Sequence, residues 1–187
     1  MTGQLLLLWQ KLDHLQRMRA YLTFSRDQTA PLMPIVDWTL LTPEHHQILA
    51  AFRVRFSDFQ EHLGKAMRAI AIEEEQRTEP FTAILLYMEK LGIIDSAERW
   101  KEIRELKNAI NHEYEDDTAR LGSFFAALVQ SVPELLAWHD RLDDFCRRHY
   151  AIPANNGPDS IQAAAWVRPI SPRASRYQAN IGPSTTA

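Results

Sequence analysis

A chain of 187 residues has room for one domain with a sizeable hydrophobic core, plus a tail. Its 45% hydrophobic and 24% charged residues are ordinary for a globular protein, and the formal charge of −3 excludes a globally basic nucleic-acid coat while leaving room for a local basic site. A single cysteine, Cys146, excludes an intrachain disulfide and fits a reducing cytoplasm.

The dominant period is helical. Leu5, Leu8, Trp9, Leu12, Leu15 and Leu22 form an apolar stripe on a first helix running from about Leu5 to Phe24. The Leu5–Trp9 run is too short, and too soon followed by Gln10, Lys11 and Asp13, for a signal peptide or membrane span, so a cytoplasmic chain with no membrane partner is expected. Residues 27–38 contain Pro31 and Pro34 and read as an irregular connector. Thr42-Pro43-Glu44 is a helix start: a capping hydroxyl, a proline in the first turn and an acid at the positive end of the dipole. That helix is expected to continue to about Glu75, with Gly64 marking a break or a close contact. Glu79-Pro80 opens a third helix that Gly92 stops. Asp95 or Ser96 caps a fourth, from Ala97 to about Asn111. Asp116, Asp117 or Thr118 opens a fifth that reaches His149, with Pro133 expected to kink or split it.

No segment shows strand alternation. The expected fold is therefore all-α, an up-and-down bundle of four to five helices over residues 1–150, with a flexible tail over residues 151–187. The tail holds five of the ten prolines together with Arg168, Arg173 and Arg176, and Trp166-Val167 is its one apolar spot.

The fourth helix carries the densest chemistry. Ile103, Leu106 and Ile110, with Trp100 toward one edge, make its buried face. At about 100° per residue, Arg104, Asn108 and His112 advance by only about 40° per step of four and make a polar stripe beside that face. Lys107 falls near the opposite edge, within reach of a neighbouring helix or subunit. A cation, an amide and an imidazole so aligned can converge on an anion. Imidazole titrates near neutrality, so His112 can move a proton either way, and a nearby cation can hold a phosphate and stabilise charge developing on it. For RNA that is sufficient chemistry without a metal or other cofactor. A polar stripe flanking a core is more often only a solvated flank.

The run from Arg104 through Lys107, Asn108, His112 and Tyr114 to Asp117 resembles the signature of HEPN domains, in particular the HepT-like branch paired with minimal nucleotidyltransferases. That signature is an arginine and a polar residue, a short gap, a histidine, one residue and a tyrosine. Asn108, His112 and Tyr114 stand in their expected places, and residues 88–100 resemble the helix-turn that precedes the motif. The resemblance covers roughly residues 52–146. It implies a HEPN-like bundle, a homodimer with motifs facing across a shared cleft, and a metal-independent endoribonuclease toxin neutralised by a minimal nucleotidyltransferase. It also implies Tyr114 as a site of AMP addition, where added negative charge would oppose RNA binding. In the roles so implied, His112 is the general base or acid, Arg104 or Lys107 clamps phosphate, and Asn108 orients substrate or holds the helix end. The chain departs from the pattern at Lys107, which stands where the motif has arginine and lacks the planar fork that grips phosphate through two bonds. Arg104 lies further from His112 than the family spacing. Two alternatives stay open: a non-catalytic subunit that binds the nucleotidyltransferase or a nucleotide, and a purely structural dimer.

Other residues read more plainly. His45 and His46 are expected at the surface, His139 and His149 at the surface or as caps, and Cys146 as a buried thiol. Glu73-Glu74-Glu75 reads as a solvated helix end, and Phe124, Phe125 and Trp138 as core or dimer interface. Arg53 and Arg55 are candidates for added positive potential near a cleft.

Overall fold

A computed structural model of the chain describes residues 3–112 and 118–152, without the side chains of 111, 112, 118 and 119. The chain divides into two units, Met1–Pro153 and Ala154–Ala187, of which the second lies outside the described residues. Five α-helices make up the first: α1 Gly3–Thr29, α2 Pro43–Glu73, α3 Phe81–Lys90, α4 Ala97–His112 and α5 Thr118–His149. Among the described residues there is no strand, so the fold is all-α and a helical bundle.

The helix ends follow from local chemistry. Thr42 Oγ1 accepts from the His45 backbone N–H at 3.3 Å while His45 Nδ1 accepts from the Thr42 N–H at 3.3 Å. These two bonds form a reciprocal cap at the start of α2. That cap gives His45 a structural task, and His46 meets the Trp38 ring edge-on. α2 runs unbroken through Gly64 and stops where Glu75 takes a left-handed backbone with φ of 53°. Gly92, at φ of 71°, reverses the chain after α3, a conformation that costs a residue with a Cβ far more than glycine. Ser96, and not Asp95, caps α4: its Oγ accepts from the Arg99 N–H at 3.0 Å. Asp95 instead accepts from Trp138 Nε1 at 2.7 Å and from the Arg141 guanidinium, tying the α3–α4 turn to α5.

Two boundaries differ from the sequence reading. α1 continues past Phe24 to Thr29, because Ser25 and Thr29 extend the buried stripe of Leu8, Leu12, Leu15 and Leu22 by whole turns. The connector that follows contains two 3-10 turns, Ala30–Leu32 and Trp38–Leu40. Pro133 does not split α5. It sits on the exposed side, where water can serve the carbonyl left without its donor, while Val132 and Leu135 hold the helix on the core.

α1 packs along α2, α5 lies against α1, α2 and α4, and α3 contacts α2 and α4. The core between them is aromatic and aliphatic: Leu15, Phe52, Phe56, Phe59, Met67, Leu128 and Trp138 are fully buried. Burial of each such side chain contributes about 1.5–3 kcal/mol. α5 is long and apolar enough to span a membrane by length and composition, yet Leu121, Phe125, Leu128, Val132 and Leu142 on it are spent on this core.

His139 corrects the surface reading. It is 2% exposed, lies against Phe59, and its Nδ1 is 3.3 Å from the Arg19 guanidinium. It shares a face of α5 with Leu135, Leu142 and Cys146, which sequence spacing alone already places together. His149 is exposed as expected, with its Nδ1 2.8 Å from the Phe145 carbonyl oxygen. Cys146 is buried, which pushes its thiol up to about 12 and leaves it uncharged.

Candidate functional site

α2 and α4 diverge enough to leave a cleft of about 380 Å³ between them, with Phe81 of α3 at its side. The α2 wall follows from steps of four along that helix: Gln60, Gly64 and Arg68 on one line, Glu61 and Lys65 on the next. The α4 wall is Trp100, Arg104 and Lys107. From Trp100, a step of four and a step of seven each return to within about 40° of the same direction, so these three share a face.

The sequence reading placed Arg104, Asn108 and His112 on one stripe. The cleft takes Arg104 and Lys107 instead, and Asn108 is exposed and not part of its wall. The reason is angular. Asn108 lies about 100° around the helix from Lys107 and about 40° beyond Arg104, farther from the buried face. Lys107 does not stand at the opposite edge from Arg104 but about 60° from it on the same wall, and it does reach a neighbouring helix, where Glu61 of α2 acts on its charge. His112 ends α4, its side chain lies outside the described residues, and so does Tyr114. Trp166, Val167 and the tail arginines lie outside them too.

Four cations therefore meet here, and they are not equivalent. Lys65 pairs with Glu61 at 2.6 Å. Arg68 pairs with Glu79 at 2.5 Å, donates to the Thr78 carbonyl at 3.0 Å and stands over the Phe81 ring at 5.7 Å. Among the described residues neither Arg104 nor Lys107 has an ion pair. Burial, and then repulsion from the Arg104 guanidinium, holds the Lys107 ammonium below its ordinary value, with Glu61 opposing. Two like charges pressed together in a partly desolvated cleft attract an anion.

The floor is polar as well. Gln60 and Trp100 are each 2% exposed, and among the described residues the two polar atoms of the Gln60 carboxamide and the Trp100 Nε1 have no hydrogen-bond partner. The Trp100 ring is held by stacking on Trp138 at 5.6 Å. Gln60, Lys65, Arg68 and Phe81 were missed by reading motifs along the chain. The signal available was the four-residue spacing of Gln60, Gly64 and Arg68, which marks one face of α2 but not what faces it.

Other candidates fall away from this cleft. Arg55 hydrogen-bonds Ser25 of α1 and lies over Tyr21 at 5.7 Å, so its charge belongs to a smaller groove on the α1 side. Glu74 accepts from the Tyr150 hydroxyl at 2.6 Å and is half-buried, not a freely solvated helix end. Phe125 and Trp138 are core, and Phe124 is partly buried against it. Among the described residues no group of three or more His, Cys, Asp or Glu side chains is placed to hold a metal ion. No family model, curated protein or solved structure matches the chain.

Proposed function

We propose that the chain is a HEPN-type, HepT-like component of a toxin–antitoxin pair, an endoribonuclease that needs no metal and is neutralised by a minimal nucleotidyltransferase. The observation that carries this reading is the convergence of Arg104 and Lys107, without ion pairs among the described residues, on a cleft already lined by Lys65 and Arg68. Such a site suits an RNA phosphate, whose affinity for protein is set chiefly by cations.

In the proposed reaction His112 takes the proton of a 2′-hydroxyl, and the 2′-oxygen attacks the adjacent phosphorus. The bond from phosphorus to the 5′-oxygen breaks, that oxygen takes up a proton, and a 2′,3′-cyclic phosphate remains. Arg104 and Lys107 stabilise the extra negative charge on the phosphorane. A second copy of the chain completes the cleft, and Asn108 steadies the end of α4 near His112. AMP placed on Tyr114 by the nucleotidyltransferase would set a competing anion beside the same cations.

One observation favours a second reading. Among the described residues the α4 wall of the cleft consists of Trp100, Arg104 and Lys107, groups suited to holding an anion. The chain would then be a non-catalytic subunit that binds the nucleotidyltransferase or a nucleotide.

Incubation of total RNA with the purified protein in excess EDTA separates the two. Cleavage by the wild type, its absence in His112→Ala and a fall of about tenfold or more in Arg104→Ala are expected for the nuclease. Intact RNA with folded wild-type protein overturns it.

A further inference from the structure

The partner-free atoms at the floor of the cleft are unexplained by phosphate binding. Gln60 Oε1 is an acceptor, as every oxygen of a phosphate is, so the two repel and do not bond. An acceptor and a donor side by side call for a ligand that carries a donor and an acceptor side by side. Each nucleobase presents such an edge, and a carboxamide can meet it with two hydrogen bonds. Trp100 Nε1 adds one more donor, suited to a ring nitrogen or carbonyl of the same base. Buried polar atoms without partners are rare in folded proteins, and here three of them belong to two residues that line one cleft. The volume of about 380 Å³ falls within the range of small-molecule sites, roughly 300–1,000 Å³. Phe81 adds apolar surface for the face of a base.

We propose that this cleft binds a single nucleotide, its phosphate on Arg104 and Lys107 and the edge of its base on the Gln60 carboxamide. This rests on the phosphate-binding half of the proposed function and not on catalysis. It assigns Gln60 as the residue that gives the site a preference among bases, whether the nucleotide is free or part of an RNA strand. Both carboxamide atoms are buried, so the Gln60 side chain must turn toward the cleft to meet the base.

The test is calorimetric titration of the full chain with ribose 5-phosphate and with the 5′-monophosphates of adenosine, guanosine, cytidine and uridine. At least one nucleotide should bind about tenfold or more tighter than ribose 5-phosphate, the margin of one good two-bond contact to a base. Gln60→Leu should erase that margin and leave ribose 5-phosphate affinity unchanged, since the substitution removes only the base contact. Four nucleotides that bind no tighter than ribose 5-phosphate to the wild type overturn the proposal, as does a margin that survives in Gln60→Leu. The wild-type comparison decides even if the variant fails to fold. Loss of RNA cleavage leaves these outcomes untouched, whereas absence of affinity for any of the five compounds removes the cationic clamp and with it both proposals.

Discussion

Gly64 offers a sharp test of how the cleft is built, because one added methyl and three added carbons should act in opposite directions. A Cβ at position 64 would lie 3.3 Å from Phe81 Cζ and 3.4 Å from Trp100 Cζ2. Both contacts are tight, so the sign of the effect depends on which ring can give way. Phe81 is only half-buried and meets the Cβ with the far tip of its ring, so a few tenths of an ångström are available there. Trp100 cannot move as readily, being 2% exposed and stacked on a Trp138 that is fully buried. Gly64→Ala should therefore keep most of the gain of about 1 kcal/mol that alanine has over glycine inside a helix, and come out neutral to about 1 kcal/mol more stable. Gly64→Val drives a branched side chain against both rings and should lose about 1–3 kcal/mol by overpacking. For a chain of this size that is a fall in Tm of roughly 2–10 °C. Urea unfolding followed by circular dichroism gives both values, and filter binding of RNA to the folded variants reads the cleft. RNA affinity should survive in the alanine variant and drop in the valine variant. A valine variant as stable as the alanine one, or one that binds RNA like the wild type, would show that α2 and α4 are not packed through Gly64 and that the cleft lies elsewhere.

Two further outcomes follow from groups outside the cleft wall. Trp138→Phe removes the bond to Asp95, which keeps Arg141, and leaves space under Trp100. A loss of about 2–4 kcal/mol in urea unfolding is expected, and less than about 1 kcal/mol would mean the Trp138–Asp95 tie does not hold α5 to the α3–α4 turn. His139 is held below its ordinary 6.5 by burial first and by Arg19 second, against the opposing pull of Asp140 and Asp143. Below about pH 6.5 the unfolded chain therefore takes up a proton that the native chain refuses, and stability falls with pH by up to about 1.4 kcal/mol per unit. His139→Gln should flatten that slope below about pH 6.5, and parallel wild-type and variant profiles would sink the assignment.

The helices and their ends were largely legible along the chain, and the reasons are local. Thr42, Gly92 and Ser96 each act on backbone groups within a few residues of themselves, so short windows of sequence suffice to place them. Where local reading failed, a longer-range partner or the outside of the helix decided. Pro133 reads as a kink or a break, but a proline on the outer side of a helix held down by Val132 and Leu135 need not break it. His139 was misjudged by residue type, although the spacing of Leu135, Leu142 and Cys146 pointed inward.

The candidate site divides in the same way. By itself the sequence determined that α4 has an apolar face with Arg104 and Lys107 at its margins, since helical periodicity requires no knowledge of neighbours. It could not determine that the side carrying Arg104 and Lys107 becomes the wall of a cleft. That depended on α2, whose Gln60, Lys65 and Arg68 stand more than thirty residues earlier and approach α4 only when Gly64 lets the Phe81 and Trp100 rings pack close. Tertiary packing alone turned Lys107 toward α2, left Asn108 exposed and brought Gln60 to the same cleft as two cations, because the direction a side chain faces is a property of one helix and what it faces is a property of two.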